Sequence, residues 1–428
     1  MDYKEAMSYI AGTYKFGSKA GLERIERLLE ILGNPQKGLK FVHIAGTNGK
    51  GSLTAYISSV LDKAGYKTGV FVSPFLQRFS ERIRIGQEEI SDDEIVENIL
   101  KIKDAIGIME KELDDHPTEF EIVTAMAMLH YKKHNCDIIV LEVGMGGVID
   151  STNIIEDEDS IVSVITTIGF DHMQYLGNTL TEIAEKKAGI IKKNGYAVLY
   201  PQVDEAMTVF DKTAKAQNAV LEKLFYEDVH VVSETIDGTV FDFGNYKGLE
   251  IKLLGSHQVY NASLAVMVCN VLNAKGYKIS EEIMRAGLYE AHWAGRFEIV
   301  NRSPMVIIDG AHNFEGARGF SKGLKHYFGE KKITFICGFL ADKEYGAMLE
   351  SFIPMAKRFI TLTPDSPRAL PGEELKNYLR AYHNDVTAKE NVNAALEYAL
   401  ATGEGDDIVC VFGSLYYIGY VRDYFGLK

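Results

Sequence analysis

The chain has 428 residues, 46% of them hydrophobic, four cysteines and a formal net charge of −14. That length exceeds what one core supports and predicts two domains, while the acidic balance excludes a general nucleic-acid or anionic-membrane binder, which needs an electropositive footprint. The first twenty residues lack a secretory apolar core and cleavage site, no stretch reaches eighteen consecutive apolar residues, and Cys136, Cys269, Cys337 and Cys410 form no C-x-x-C pair, so the expectation is a soluble, cytoplasmic protein with reduced thiols.

In chain order, β-rich apolar runs occur at KFVHIA (40–45), TGVFVS (68–73), DIIVLEV (137–143), IVSVITTI (161–168) and YAVLYP (196–201), with helical stretches such as 52–65 and 119–134 between them. That alternation predicts βαβ units and a parallel sheet. From 218 to 254 short strands and turns predict an antiparallel flank on this first domain, followed by a helix over 257–275. Alternation resumes at MVIIDG, KITFICGFL, RFITLT and DIVCVFG, which predicts a smaller α/β domain. The expected domains are 1–295 and 296–428. The acidic run at 156–159 reads as a solvated loop.

HIAGTNGKGS (43–52) follows the first strand run and opens a helix. Glycines let backbone N–H groups turn toward an anion, the helix dipole favours negative charge, and a lysine adds a point charge. Gly46, Thr47, Asn48, Gly49, Lys50, Gly51 and Ser52 are therefore candidate phosphate-binding residues. The spacing departs from G-x-x-x-x-G-K: Ile44 stands at the first glycine position and Gly51 separates Lys50 from Ser52. The plain alternative is a glycine-rich turn with an exposed lysine.

In DIIVLEV, Glu142 follows four apolar residues at the expected carboxyl end of the strand, where a doubly wound sheet binds ligands and a carboxylate can hold Mg²⁺. Ser73 ends TGVFVS, and His172 follows a third strand. Taken singly each has a bland reading, a turn cap or a structural histidine; three polar residues at carboxyl ends of parallel strands point to a metal site.

Over 178–195, Leu180, Ile183, Ala184, Ala188 and Ile191 trace one helical stripe, and Lys187 falls on it while Lys186 does not. An inward lysine must find a partner or lose its charge; otherwise it snorkels or meets a phosphate. In the later domain, MVIIDGAHN ends a strand in Asp309, with His312 beyond, and Arg296 stands at the inferred junction, where an arginine suits a phosphate. The bland readings are a helix-capping Asp309, a partly buried His312 and a surface-paired Arg296.

The ordered series HIAGTNGKGS, SPFLQRFSERI, PTEFE, EVGMGGVIDSTN, ITTIGFDHMQYLGNTLTEIAEKKAGIIK, GSHQVYNASLAV, GRFE, IDGAHN and GSLYYIGYVR resembles the folylpolyglutamate synthase and dihydrofolate synthase enzymes of the Mur ligase superfamily, from about residue 15 onward. The resemblance implies a P-loop NTPase-like parallel sheet domain with an antiparallel flank and a smaller C-terminal Rossmann-like domain that binds glutamate. It implies an ATP- and Mg²⁺-dependent ligase, a monomer, acting on folate or dihydropteroate, L-glutamate and ATP. It places ATP on the loop around Gly49, Lys50 and Ser52 and metal on Ser73, Glu142, His172 and a carbamylated Lys187. Nucleotide contacts fall to Asn261, Arg296 and His312, the essential acid to Asp309, and the pterin neighbour to Phe120. Catalytic roles fall to Lys50, Asp309, His312 and Lys187.

A carboxylate accepts an amine only once its oxygen becomes a leaving group, which phosphorylation by ATP provides through an acyl phosphate. Phe75, Val148, Lys186 and Phe314 depart from the family pattern; the first two raise the alternative of a Mur-type ligase acting on another carboxylate. Lys186 beside Lys187 is expected to lower the neighbour's pKa. An NTP-binding switch is a third reading, without an N-K-x-D signature to support it.

Overall fold

The computed structural model describes residues 1–13, 21–113 and 115–427; the start of the family resemblance, near residue 15, lies outside them. Eight strands form the first sheet: β1 (Phe41–Ala45), β2 (Thr68–Phe71), β3 (Ile83–Ile85), β4 (Glu88–Glu89), β5 (Ile138–Glu142), β6 (Ser160–Ile165), β7 (Tyr196–Leu199) and β8 (Val220–Lys223). The order is β4-β3-β2-β5-β1-β6-β7-β8. The strands from β2 to β8 in that order are parallel, and β3 and β4 form an antiparallel edge. β1 and β5 are buried at every position, as their continuous apolar runs require of strands covered on both faces. β1 lies between β5 and β6, so the carboxyl ends of these three strands border one crevice, where doubly wound sheets bind ligands.

The expected helix at 52–65 runs Lys50–Lys63 and packs on Glu281–Glu290. The helix Glu119–Lys133 starts at a Thr118–Glu121 capping box, which satisfies backbone N–H groups of its first turn. Among the described residues no helix is long and apolar enough to cross a membrane.

Residues 220–223 correct the expected flank. Val220–Lys223 pairs in parallel with Tyr196–Leu199 because the helix Asp204–Ala216 supplies the crossover that a parallel pair needs. The remaining short strands, β9 (Val229–Thr235), β10 (Gly238–Phe243) and β11 (Tyr246–Ile251), form a separate sheet. Their tight turns make neighbouring strands antiparallel.

The third sheet comprises β12 (Glu298–Arg302), β13 (Met305–Asp309), β14 (Ile333–Cys337), β15 (Ala356–Thr361), β16 (Val386–Ala388) and β17 (Ile408–Phe412), in the order β12-β13-β17-β14-β15-β16. Only β12 runs antiparallel, at the edge. Phe335, Phe352, Phe359 and Phe412 fill its core, with Phe352 and Phe412 stacked at 4.1 Å between centroids. The chain divides into two compact units: residues 1–230, 242–249 and 260–291, and residues 231–241, 250–259 and 292–428.

Candidate active site

In the first unit, the loop after β1 turns so tightly that two of its positions exclude a side chain. Gly46 has φ +152°, and a Cβ there would lie 1.7 Å from Thr166 Oγ1. Gly49 caps the helix with φ +91°, and a Cβ there would lie 2.9 Å from Asn261 Oδ1. Both positions thus need glycine. The loop is latched to the residues after β6: Thr47 N–H donates to Thr167 O at 2.7 Å, and Asn48 N–H donates to Thr167 Oγ1 at 3.2 Å. Thr47 Oγ1 donates to Gly169 O at 3.1 Å. The loop is therefore fixed by backbone groups and threonine hydroxyls, and the helix N-terminus that follows it is the kind of position that suits an anion.

Lys50 opens that helix. Its Nζ donates to Gly46 O at 3.2 Å and Thr47 O at 3.3 Å, and stands 3.9 Å from Glu142 Oε1. Glu142 is 4% exposed at the end of β5. Lys187, also 4% exposed, donates from Nζ to Gly46 O at 2.8 Å. Lys50, Glu142 and Lys187 therefore meet around Gly46, from three separate segments. Burial, and then the charge of Lys50, lowers the Lys187 pKa to about 7 against the opposing pull of Asp171 and Asp150. The sequence expectation for Lys186 needs correction: that side chain is exposed, and Lys50 is the cation that depresses Lys187.

Ser73 lies two residues beyond β2 and is half-buried; His172 follows β6, is exposed, and begins the short helix Met173–Leu176 with φ +50°. The loop after Glu142 is tied to the Lys187 helix, since Val148 N–H donates to Lys186 O at 2.9 Å. It is braced internally by Asp150, which accepts from Met145 N–H at 2.7 Å and Thr152 Oγ1 at 2.6 Å. The Phe120 ring lies 5.8 Å from that of Phe71, and its Cζ would stand 2.5 Å from a Cβ at Gly144. Buried Arg82 stacks 5.8 Å over Phe120 and pairs with Glu119 at 2.7 Å.

In the second unit, Asp309 ends β13 and is 8% exposed. Its carboxylate accepts from Phe297 N–H and Ala311 N–H, each at 2.7 Å. Burial raises its pKa, which Arg296 and the two N–H groups oppose. It does not cap the following helix; Asn313 does, accepting from Gly316 N–H at 2.8 Å. The His312 Nδ1–H donates to Gly310 O at 2.7 Å, and half-buried Arg296 lies so close that a Cβ at Gly310 would come within 2.0 Å of its Nη1. Arg296, Asp309 and His312 thus form one cluster at the end of β13.

Residues 44–269 match the Mur ligase middle domain and residues 295–415 the Mur ligase glutamate ligase domain. The dihydrofolate synthase/folylpolyglutamate synthase of Bacillus subtilis is 36% identical, with 98% of each chain covered. The chain belongs to the folylpolyglutamate synthase/dihydrofolate synthase family of Mur ligases. The folylpolyglutamate synthase of Lacticaseibacillus casei is 34% identical over 99% of this chain and 98% of its own. Among solved structures, Mycobacterium tuberculosis folylpolyglutamate synthase complexed with ADP covers both chains fully with TM-score 0.90 at 29% identity. An FPGS–AMPPCP–folate complex covers 99% of each with TM-score 0.84 at 32% identity.

Within this family, the four departures fall on exposed positions. Phe75, Val148 and Phe314 are 40%, 42% and 45% exposed, so they are free to touch ligands without disturbing a core. Sequence reasoning passed over Arg82, Thr167 and Asp150. Arg82 lies inside SPFLQRFSERI and Asp150 inside EVGMGGVIDSTN, so the motifs carried the signal without a role.

Proposed function

We propose that this chain is an ATP-dependent ligase that adds L-glutamate to the carboxylate of a folate through an acyl phosphate, and that dihydropteroate is a second acceptor. The convergence of Lys50, Glu142 and Lys187 on the Gly46 loop carries the reading. The backbone N–H groups of the loop and the Lys50 ammonium would bind the terminal phosphates of ATP and neutralise charge developing on the transferred phosphoryl group. Buried Glu142 and the Ser73 hydroxyl offer the hard oxygen donors that suit Mg²⁺; with His172, and with Lys187 as a carbamate, they would hold the ion. Bound there, Mg²⁺ supplies charge stabilisation to the phosphoryl oxygens. A Lys187 amine with pKa near 7 is substantially uncharged at neutral pH, the form that attacks CO₂.

Asn261 beside Gly49 would line the nucleotide, Arg296 and His312 would contact its phosphates, and the Phe120 ring would lie along the pterin. Asp309, fixed by two N–H donors, would receive the amine of the incoming glutamate. Attack of that amine on the acyl phosphate gives a tetrahedral intermediate that collapses to amide and phosphate. The relatives' names favour a folate acceptor over another carboxylate. The proposal includes a cytoplasmic monomer, whose mass light scattering checks.

Purified protein with ATP, Mg²⁺ and L-glutamate, offered tetrahydrofolate or dihydropteroate, tests the reading by ADP release and product mass. The expected product is one glutamate heavier, with ADP formed only when both co-substrates are present. ADP release without a folate product would overturn the acceptor assignment.

A further inference from the structure

Away from the Gly46 loop, but within the first unit, the helices Asp92–Leu113 and Glu119–Lys133 pack together and bring three potential ligands to one point. His130 lies in the last turn of the second helix and His134 caps its end, the i, i+4 spacing by which one helix presents two imidazoles to one ion. Glu94, in the first turn of the partner helix, faces both. Glu94 Oε1 lies 2.9 Å from His130 Nδ1, and Glu94 Oε2 lies 3.0 Å from His134 Nε2. One donor atom from each residue falls within 4.8 Å of the others. Two of these separations are already near the roughly 3.3 Å between donors around a tetrahedral ion with 2.0–2.1 Å bonds. The His130 and Glu94 side chains are 6% and 11% exposed and that of His134 is 36% exposed, so the cluster is walled on the protein side and open to a water ligand on the other.

We propose that Glu94, His130 and His134 form a structural site for a divalent transition-metal ion of the Zn²⁺ class, distinct from the Mg²⁺ of the nucleotide. Two imidazoles and one carboxylate favour Zn²⁺, Co²⁺ or Ni²⁺ over Mg²⁺, which takes oxygen donors and keeps its water. Coordination uses lone pairs on His130 Nδ1 and His134 Nε2, so with the ion bound each ring carries its proton on the other nitrogen. The nearby cation does not block the ion: Lys133 Nζ lies 3.7 Å from Glu94 Oε1 but only 2.7 Å from Glu97 Oε2. Glu97 in turn pairs with Lys101 at 2.7 Å. A bound ion would tie the end of the Glu119–Lys133 helix to its neighbour, opposite the end that carries Phe120.

The test uses the full chain after chelator treatment, with millimolar Mg²⁺ present throughout. Zn²⁺ binding is measured by calorimetry and Co²⁺ binding by its visible absorption, in the parent and in His134→Ala and Glu94→Gln variants whose ligase turnover shows that they fold. The expected result is one Zn²⁺ per chain, a tetrahedral Co²⁺ spectrum, and affinity at least about tenfold weaker in each variant, since even outer partners of metal ligands are worth that much. Zn²⁺ should also raise the unfolding temperature of the parent and not of His134→Ala. Equal Zn²⁺ affinity in parent and variants, or no binding in the parent, overturns the proposal.

Discussion

Lys187 sits where its charge is costly. The folded amine has a pKa near 7 against 10.5 for the free side chain, so below pH 7 the chain bears the full cost of a buried cation. Between pH 7 and 10.5 the unfolded chain binds more protons than the folded one, and stability rises with pH. Replacing Lys187 with Met removes the charge, and Gly46 O keeps a donor in Lys50. In CO₂-free buffer Lys187→Met should therefore be more stable than the parent by a few kcal/mol at about pH 6, with the gain fading near pH 10 and ligase turnover lost. Urea midpoints at the two pH values decide it; a gain of equal size at both would sink the explanation. Lys50 is proposed to neutralise charge on the transferred phosphoryl group and Glu142 to hold the ion beside it, so Lys50→Ala and Glu142→Ala should each lower turnover by about a hundredfold or more. A coupled ADP assay with near-parental rates in either variant would contradict the assignment. Lys187 was legible in the sequence because helical periodicity and charge disagreed at that position. Arg82 and Thr167 were not, because Phe120 and the Gly46 loop, which they serve, lie far away in the chain.

At the scale of elements, a strand that ends in a glycine or an acid is easy to read, and a partner is hard. β1, β5 and β13 were visible as apolar runs ending at Gly46, Glu142 and Asp309. The edge hairpin β3–β4 was missed: IRIGQEE is short and polar, and pairing with β2 gives it its place. β8 was read into the antiparallel flank, since turn chemistry marks where a strand ends and not which neighbour it joins. Helix packing is likewise silent in sequence until distances are known. Gly287, on the helix Glu281–Glu290, lies so close to Lys50–Lys63 that an added Cβ would stand 2.5 Å from Val60 Cα. A backbone atom cannot swing aside, so Gly287→Ala must push apart the helix that begins with Lys50. The expected cost is about 1–3 kcal/mol, read as a lower urea midpoint at unchanged slope. An unchanged midpoint would mean that the contact yields freely.

For the molecule as a whole, the net charge of −14 opposes substrates that are all anions, so binding must rest on local groups rather than on the long-range field. Those groups are divided along the chain. The Gly46 loop, Lys50, Glu142, Lys187 and Asn261 belong to the first compact unit, whereas Arg296, Asp309 and His312 belong to the second. Resumed strand alternation led to an expected boundary at 295/296, whereas the assignment of 231–241 and 250–259 to the second unit was not legible, because a discontinuous unit leaves no mark in composition. One substitution in the second unit tests whether Asp309 serves amide formation rather than nucleotide binding. Asp309 is held by the N–H groups of Phe297 and Ala311. Asp309→Asn keeps the size of the side chain but removes the charge proposed to receive the glutamate amine. ADP affinity, measured by calorimetry, should then stay within about twofold of the parent, while glutamate-dependent turnover falls by about a hundredfold or more. Loss of both together would show that Asp309 supports the nucleotide site, and retention of both would remove it from the reaction.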